Sequence, residues 1–169
     1  MAGAKNAGQI YVLRPEYEQR ILIEGEQVYS NLPCDPNNLP VVRDVEEPFD
    51  VGGASESASH VIAATDKCQS CVRRLSCLYE AVVTYADEQE NDTMIRGGIV
   101  PRRRRAALAM AKKLVNEQAT MRGIADEEKP RLIRHTAFIN LLKHQSDVVV
   151  RRNNARDARA RNEPVPWLH

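Results

Sequence analysis

The chain has 169 residues, 43% hydrophobic and 28% charged, which suits one ordinary domain and excludes a large multidomain enzyme. With only two Phe, five Tyr and one Trp, the core is expected to be thin and aliphatic. The formal net charge is +1, and since neither a secretory leader nor a run of about 20 apolar residues is visible, we expect a cytoplasmic protein with no membrane partner.

The N-terminal part of the chain is predicted to hold one helix and one long loop. The helix is expected over about residues 15–30, with a ragged apolar face. Residues 33–54 contain four prolines and two consecutive glycines, a composition typical of a loop that wraps around other elements. Cys34 lies in this loop.

The next two predicted helices carry the other three cysteines. A short helix is expected to start near residues 65–66 and to hold Cys68 and Cys71 in its first turns. Ser76 is expected to cap a second helix, which carries Cys77 and fades in the acidic stretch that follows. On one uninterrupted helix Cys68 and Cys77 would point about 180° apart, so a break between them is required if they are to converge.

Two longer helices are predicted in the C-terminal half. Gly97 and Gly98 interrupt the chain, and Pro101 suits the first position of a helix because its missing N–H needs no partner there. Gly123 is expected to end that helix. A further helix is predicted over residues 126–144, after which the chain is either helix or a disordered basic tail. Every regular element predicted here is a helix.

The spacing of the cysteines indicates a metal or redox site. Cys34 is followed after 33 residues by Cys68-Gln-Ser-Cys71 and, after five more, by Cys77. In a reducing cytoplasm such a set favours metal or redox chemistry over structural disulfides. Four thiolates complete the ligand set of either a tetrahedral zinc ion or a 4Fe-4S cluster. Zinc ribbons tend to supply two similar Cys-x-x-Cys knuckles, so a single knuckle favours the cluster.

Beyond the cysteines come an apolar helix, the run Met94-Ile95-Arg96-Gly97-Gly98-Ile99-Val100-Pro101 and a helix rich in Arg and Ala. With the cysteine spacing, this order resembles the WhiB-like proteins of actinobacteria and their phages, over about residues 34–114. In that family a Gly-Val/Ile-Trp-Gly-Gly turn followed by Leu-Thr-Pro lies beside the cluster. The chain departs from the pattern at Met94, Arg96 and Val100, where the family has Gly, Trp and Thr.

The resemblance implies a small helical domain organised around a 4Fe-4S cluster, with extra N- and C-terminal helical extensions. We therefore predict an N-terminal extension over residues 1–33, a cluster-binding domain over 34–122 and a basic C-terminal helical extension over 123–169. The implied function is transcription regulation without enzymatic activity. The implied cluster ligands are Cys34, Cys68, Cys71 and Cys77.

The resemblance also implies docking on the C-terminal domain of the primary sigma factor of RNA polymerase. The family Trp helps to grip that factor, so its replacement by Arg96 requires another aromatic anchor, such as Tyr79, Tyr85 or Phe49. Core packing is the alternative role for these three rings. The predicted sigma-factor contacts are Ile95, Arg96, Gly97, Gly98, Tyr79 and Phe49.

The charges divide the chain into an acidic and a basic part. Residues 1–95 carry 7 basic and 16 acidic side chains, whereas residues 96–169 carry 17 and 7. A basic segment of this kind is expected to meet a polyanion, with DNA the leading candidate. Pairing of the four arginines after Pro101 with the acidic stretch 87–92 is the alternative interpretation. The predicted DNA contacts are Arg102, Arg103, Arg104, Arg105, Arg151, Arg152, Arg156, Arg159 and Arg161.

Two other functions fit part of the pattern. The four cysteines suit a zinc-stabilised module that binds nucleic acid or protein. Alternatively, a thiol-disulfide reductase would use Cys68 and Cys71, because Cys-x-x-Cys at a helix start lowers a thiol pKa. Cys34 and Cys77 have no role in a reductase, and the sequence lacks the strand-helix-strand context of such enzymes.

Overall fold

The computed structural model describes residues 8–27, 32–34, 49–51 and 54–160, apart from the side chains at 148–150, 152, 153 and 156–160. Within these ranges the protein is helical, with two isolated antiparallel bridges and no strand. This confirms the predicted all-α class. The helices are α1 (Pro15–Glu26), α2 (Ser59–Gln69), α3 (Arg74–Tyr79), α4 (Pro101–Arg122) and α5 (Lys129–Ala160).

Helix α1 confirms the first predicted helix, with Pro15 at its start. Ile21, 1% exposed, points into the core, and the helix packs on α3. It ends at Glu26, and residues 28–30 of the predicted span lie outside the described residues. Most of the predicted loop over residues 33–54 also lies outside them.

Helix α2 starts earlier than predicted, at Ser59, and it ends at Gln69. The prediction that it starts near residues 65–66 is wrong, because the hydroxyl of Thr65 donates to the carbonyl oxygen of Ile62 at 2.9 Å inside the helix and caps nothing. An apolar face determines the true span. Its buried residues follow the i, i+3, i+4, i+7 pattern, at Val61, Ala64, Thr65 and Cys68.

Helix α3 is separate from α2, which confirms the predicted break. Ser76 is not its cap, because the helix already starts at Arg74 and the Ser76 hydroxyl donates back to the carbonyl oxygen of Arg73 at 3.1 Å. The helix continues as a π turn over Glu80–Thr84 and a 3₁₀ turn over Ala86–Glu88. The α-helix therefore ends at Tyr79, and the helical turns that follow it end at Glu88, inside the acidic stretch where the prediction has the helix fade.

Helix α4 confirms both of its predicted ends. Pro101 stands at its first turn, and Gly123, with φ of +64°, terminates it. Helix α5 begins at Lys129 rather than at residue 126 and runs to Ala160, well past the predicted end at 144. The segment after residue 144 was expected to be either helix or a disordered basic tail, and its backbone is helical as far as residue 160.

Two clusters of buried side chains hold the helices together. The larger joins α1, α3, α4 and α5, and in it the rings of Tyr79 and Phe138 meet edge to face at 5.7 Å between centroids. The smaller lies under the cysteine region, where Phe49 and Ile95 pack with Cys68. Two of the three aromatic rings named as possible sigma anchors, Phe49 and Tyr79, thus belong to the core.

The N-terminal segment is attached to the C-terminal helix. The backbone N–H of Leu13 donates to His135 Nδ1 at 3.0 Å, and the N–H of Tyr11 donates to Thr136 Oγ1 at 2.9 Å. The described parts of the three predicted segments therefore share one core, although their boundaries stay a prediction. None of the helices in the described ranges combines the length and apolarity needed to cross a bilayer.

Candidate cysteine site

Three of the four cysteines are placed by the corner between α2 and α3. Cys68 is in the last turn of α2 and buried, Cys77 is in α3, and Cys71 lies in the connecting turn. That turn is fixed by backbone bonds from Cys71 N–H to the Cys68 carbonyl and from Arg74 N–H to the Cys71 carbonyl, each 3.1 Å. Cys34 is exposed and lies in residues 32–34. None of the four forms a disulfide.

The structure brings these four residues within electrostatic reach of one another. Burial, followed by the charges of Cys77, Cys71 and Cys34, raises the pKa of Cys68 to about 12 despite a hydrogen bond from the backbone of Gly98. Burial also raises the pKa of Cys77, again with contributions from Cys34 and Cys71. A buried group of thiolates is therefore unfavourable unless a positive charge accompanies it.

The sulfur positions do not form a preformed single-ion site. In the part of the chain that the structure describes, no three His, Cys, Asp or Glu side chains are grouped as ligands of one metal ion. Tetrahedral zinc, with bonds of about 2.3 Å to sulfur, requires neighbouring sulfurs about 3.8 Å apart.

A tight turn over residues 96–99, here called the double-glycine turn, faces two of the cysteines. Arg96 and Ile99 exchange backbone hydrogen bonds of 3.1 and 3.0 Å across it. Gly97 and Gly98 have φ of +58° and +81°, which corresponds to a type I′ turn. The N–H of Gly97 donates to Cys77 and the N–H of Gly98 to Cys68. Successive N–H groups of this kind form the concave nests that receive anions and iron-sulfur clusters.

Only glycine fits at the first of these positions. A Cβ atom on Gly97 would lie 2.6 Å from Leu78 Cβ and 2.7 Å from the Arg74 carbonyl oxygen. These contacts are too short for any side chain, and the positive φ adds strain. The glycine therefore lets the turn approach α3 closely enough to reach Cys77.

Arg104, predicted to contact DNA, is an internal anchor of this turn. Its side chain is fully buried, and the guanidinium donates to Gln89 Oε1 at 2.6 Å, to the carbonyl oxygens of Ile99 and Met94 at 2.5 and 2.9 Å, and to Asp92 at 3.2 Å. The prediction that it binds phosphate is wrong, because no face of the group reaches solvent. The alternative, pairing with the acidic stretch, is confirmed for Arg104.

The neighbouring arginines differ in their surroundings. Arg103 makes a bidentate pair with Glu56, with contacts of 3.0 and 2.8 Å, and Arg105 donates to the carbonyl oxygen of Gln89 at 3.3 Å. Arg102 is exposed. Arg103 and Arg105 keep partly exposed side chains, so DNA contact by these three arginines stays a prediction.

The basic end of α5 is only partly described. Arg151 is exposed. Arg152, Arg156 and Arg159 lie on the helical backbone, but their side chains are outside the described residues, as is the whole of Arg161. DNA contact by this group also stays a prediction.

The predicted sigma contacts divide into buried and accessible residues. Phe49, Tyr79 and Ile95 are 2%, 5% and 5% exposed, so their prediction as surface contacts is wrong: they fill the two core clusters instead. Arg96 remains 44% exposed and pairs with Asp92 at 3.1 Å. Gly97 and Gly98 lie in the double-glycine turn.

Tyr85 is the aromatic residue that remains available near the cysteines. It is 47% exposed and lines an open pocket of about 600 Å³ together with Cys77 and Arg96. Three acidic side chains, those of Glu80, Glu88 and Asp92, also line it. The pocket thus combines an apolar ring with negative charge beside the cysteine site.

Sequence reasoning missed one residue that touches the turn. Gln145 of α5 is 4% exposed and its Nε2 donates to the carbonyl oxygen of Gly97 at 2.7 Å. The available signal was its position, since it follows Phe138 and Leu141 at i+7 and i+4 on the apolar face of the helix. A polar residue there must find a partner inside the protein.

The basis for a reductase is weakened by the position of the Cys-x-x-Cys pair. Cys68 stands at the C-terminal end of α2, whereas the positive, N-terminal end of a helix is the end that lowers a thiol pKa. Burial instead raises the pKa of this thiol. No protein-family model, curated protein or solved structure matches the chain.

Proposed function

We propose that the chain is a transcription regulator of the WhiB-like type, whose cysteines 34, 68, 71 and 77 hold a 4Fe-4S cluster. The observation that carries the proposal is the double-glycine turn, whose two N–H groups donate to Cys68 and Cys77. A nest of N–H groups beside four cysteines suits an anionic sulfur-rich group. The cluster, when bound, supplies the iron cations that keep the thiolates charged.

The residues around the sulfurs suit such a group in charge. Burial opposes the thiolate forms of Cys68 and Cys77, and the positive charge of Arg96 favours that of Cys77. The exposed Cys34 comes from a segment of the chain separate from α2 and α3. Ligands from α2, α3 and this segment make the fold depend on the bound group.

The deciding experiment is metal and sulfide analysis of protein purified without oxygen, together with its visible absorption. We expect brown protein with iron and acid-labile sulfide in equal amounts and about four of each per chain. Cys71→Ser is expected to lose the colour and much of the helical signal. Ser70→Ala, a change at the adjacent exposed position, is the matched control. Colourless protein that is folded, active and loaded with zinc contradicts the proposal and supports the zinc module instead.

The pocket beside Cys77 is the proposed docking surface for the sigma factor. Arg96 takes the position of the family Trp and is paired with Asp92, so the ring of Tyr85 takes over as the apolar anchor. An exposed aromatic beside a concave surface is typical of interface hot spots. The acidic lining further suits a partner segment that carries basic side chains.

The basic surface is proposed to contact promoter DNA. Removal of Arg104 from the predicted set leaves Arg102, Arg103 and Arg105 at the start of α4, and the arginines of residues 151–161 at the end of α5. Phosphate contacts by such groups supply affinity and orientation rather than sequence readout. In this arrangement, docking on the sigma factor attaches the protein to the polymerase, and the arginines strengthen the binding of the whole complex to DNA.

A further inference from the structure

One peptide group connects the cysteine site to the C-terminal helix. The carbonyl of Gly97 and the N–H of Gly98 belong to the same planar unit, which moves as a rigid body. Gly98 packs on Cys68, since an added Cβ on Gly98 would lie 3.4 Å from Cys68 Cβ, and the carbonyl oxygen of Gly97 accepts the 2.7 Å hydrogen bond from Gln145 Nε2. A shift of Cys68 therefore reorients the acceptor that holds Gln145.

Packing makes the same connection. A Cβ atom on Gly98 would overlap Gln145 Nε2 and would lie 3.4 Å from Cys68 Cβ, so the glutamine side chain rests directly on the turn. The remaining space between α5 and the turn is small, about 80 Å³. Movement of the turn toward α5 is thus transmitted by contact as well as by the hydrogen bond.

The glutamine is held weakly for a buried residue. Its Oε1 atom is buried, and no hydrogen-bond partner for it exists in the described part of the chain. An unsatisfied buried acceptor costs at least as much as one neutral hydrogen bond contributes. The hydrogen bond to the Gly97 carbonyl therefore leaves the buried Gln145 side chain with little net stabilisation, and a small change in the turn is enough to release the side chain.

We propose that Gln145 is a positioning residue that couples the state of the cysteine site to the order of α5. With Cys68 in place, the Gly97-Gly98 peptide holds Gln145 and fastens the middle of the helix. When the site is disrupted, the bond is lost and α5 loosens from this point toward its basic end. The regulatory meaning of this coupling rests on the proposed function, since the coupling links the proposed cofactor site to the segment proposed to contact DNA.

The test is a double-mutant cycle read by hydrogen exchange of the full chain, followed in peptides around residues 141–151. In the wild-type background, Cys68→Ser is expected to speed exchange there about five- to tenfold, the effect of one lost buried hydrogen bond. In a Gln145→Met background exchange is already faster, and Cys68→Ser adds little. The matched control is Gln118→Met, because Gln118 makes a similar 2.8 Å bond to the carbonyl of Gly8 far from the cysteines.

Coupling between two sites is reciprocal, which supplies a second measurement. Gln145→Met is expected to speed iodoacetamide labelling of Cys68 in the protein as isolated by a similar factor, whereas labelling of the exposed Cys34 stays constant. Gln118→Met leaves both rates unchanged. This readout follows one thiol, and a general loss of stability would raise labelling of the other cysteines too.

Equal effects of Cys68→Ser in the Gln145→Met and wild-type backgrounds would overturn the coupling, as would unchanged labelling of Cys68. If Cys68→Ser does not fold, the labelling of Cys68 in Gln145→Met, which keeps every cysteine, tests the coupling on its own. Metal analysis reports the proposed function separately. If the protein contains no iron but the double-mutant cycle still shows coupling, the coupling stands and the proposed cluster is contradicted.

Discussion

Replacing Arg104 by methionine is expected to destabilise the protein by about 3 to 5 kcal/mol, the range for breaking a buried ion pair. Methionine fills a similar volume but leaves Asp92, Gln89 and two backbone carbonyls without their donor. Burial lowers the pKa of Arg104 to about 10, so the group is still charged at neutral pH and the loss includes a full charge.

The magnitude follows from the partners of Arg104. Burial raises the pKa of Asp92, but hydrogen bonds from Met94 N–H and Arg96 and the charge of Arg104 lower it overall. Because Asp92 keeps a side-chain exposure of 15% and a second partner in Arg96, water and that partner recover part of the loss. We therefore expect the lower half of the range, which still removes a large share of a typical stability of about 5 to 15 kcal/mol.

Urea unfolding followed by circular dichroism measures this difference. Arg104→Lys is expected to recover little, because an ammonium group cannot make the fork of four hydrogen bonds. The matched control is Arg102→Met at the exposed neighbouring position, with an expected change within about 0.5 kcal/mol. If Arg104→Met and Arg102→Met lose the same small amount, the assignment of Arg104 as an internal anchor is refuted.

Four further predictions concern the turn, the two interfaces and pH. Gly97→Ala is expected to abolish the cysteine site, because its Cβ would clash with Leu78 and Arg74; normal iron content in that variant would contradict the account of the turn. Tyr85→Ala is expected to weaken sigma-factor binding by about 2 kcal/mol, or roughly 30-fold, in a pull-down titration where Met110→Ala, at a 73% exposed position on α4, has no effect. Replacing the arginines at 151, 152, 156, 159 and 161 by Gln is expected to flatten the salt dependence of DNA affinity by about 0.9 in log-log slope per lost phosphate contact, with sigma binding unchanged; an unaltered slope removes this group from the DNA interface. Burial lowers the pKa of His135 in the folded state; the charge of Glu18 raises that pKa, and the charge of Arg131 lowers it. The contribution of His135 to stability is therefore complete above the unfolded pKa of about 6.5 and is lost as pH falls through the lower folded pKa, because a protonated Nδ1 cannot accept the Leu13 N–H. The urea midpoints at pH 7.5 and pH 5.5 should therefore differ less in His135→Gln than in the wild type or in the control His60→Gln.

The helices and the cysteine corner could largely be predicted from local patterns. Pro101 and Gly123 mark the ends of α4 because proline and a left-handed glycine act on the backbone within one turn. The start of α2 was misplaced because Thr65 has the residue type of a cap, while its position on the apolar face with Val61 and Cys68 determined its role. Competing local signals of this kind are decided by what the helix packs against.

By itself, the sequence determined the all-α class, the break between Cys68 and Cys77 and the turn at Gly97 and Gly98, because each follows from backbone geometry over a few residues. Only the tertiary structure decided that Arg104 is buried, that Phe49 and Tyr79 are core residues and that Gln145 reaches the Gly97 carbonyl. Those roles depend on contacts between residues far apart in the chain, 48 positions for Gln145 and Gly97. An arginine or an aromatic ring has the same local pattern whether it faces solvent or a neighbouring segment, and tertiary packing makes that choice.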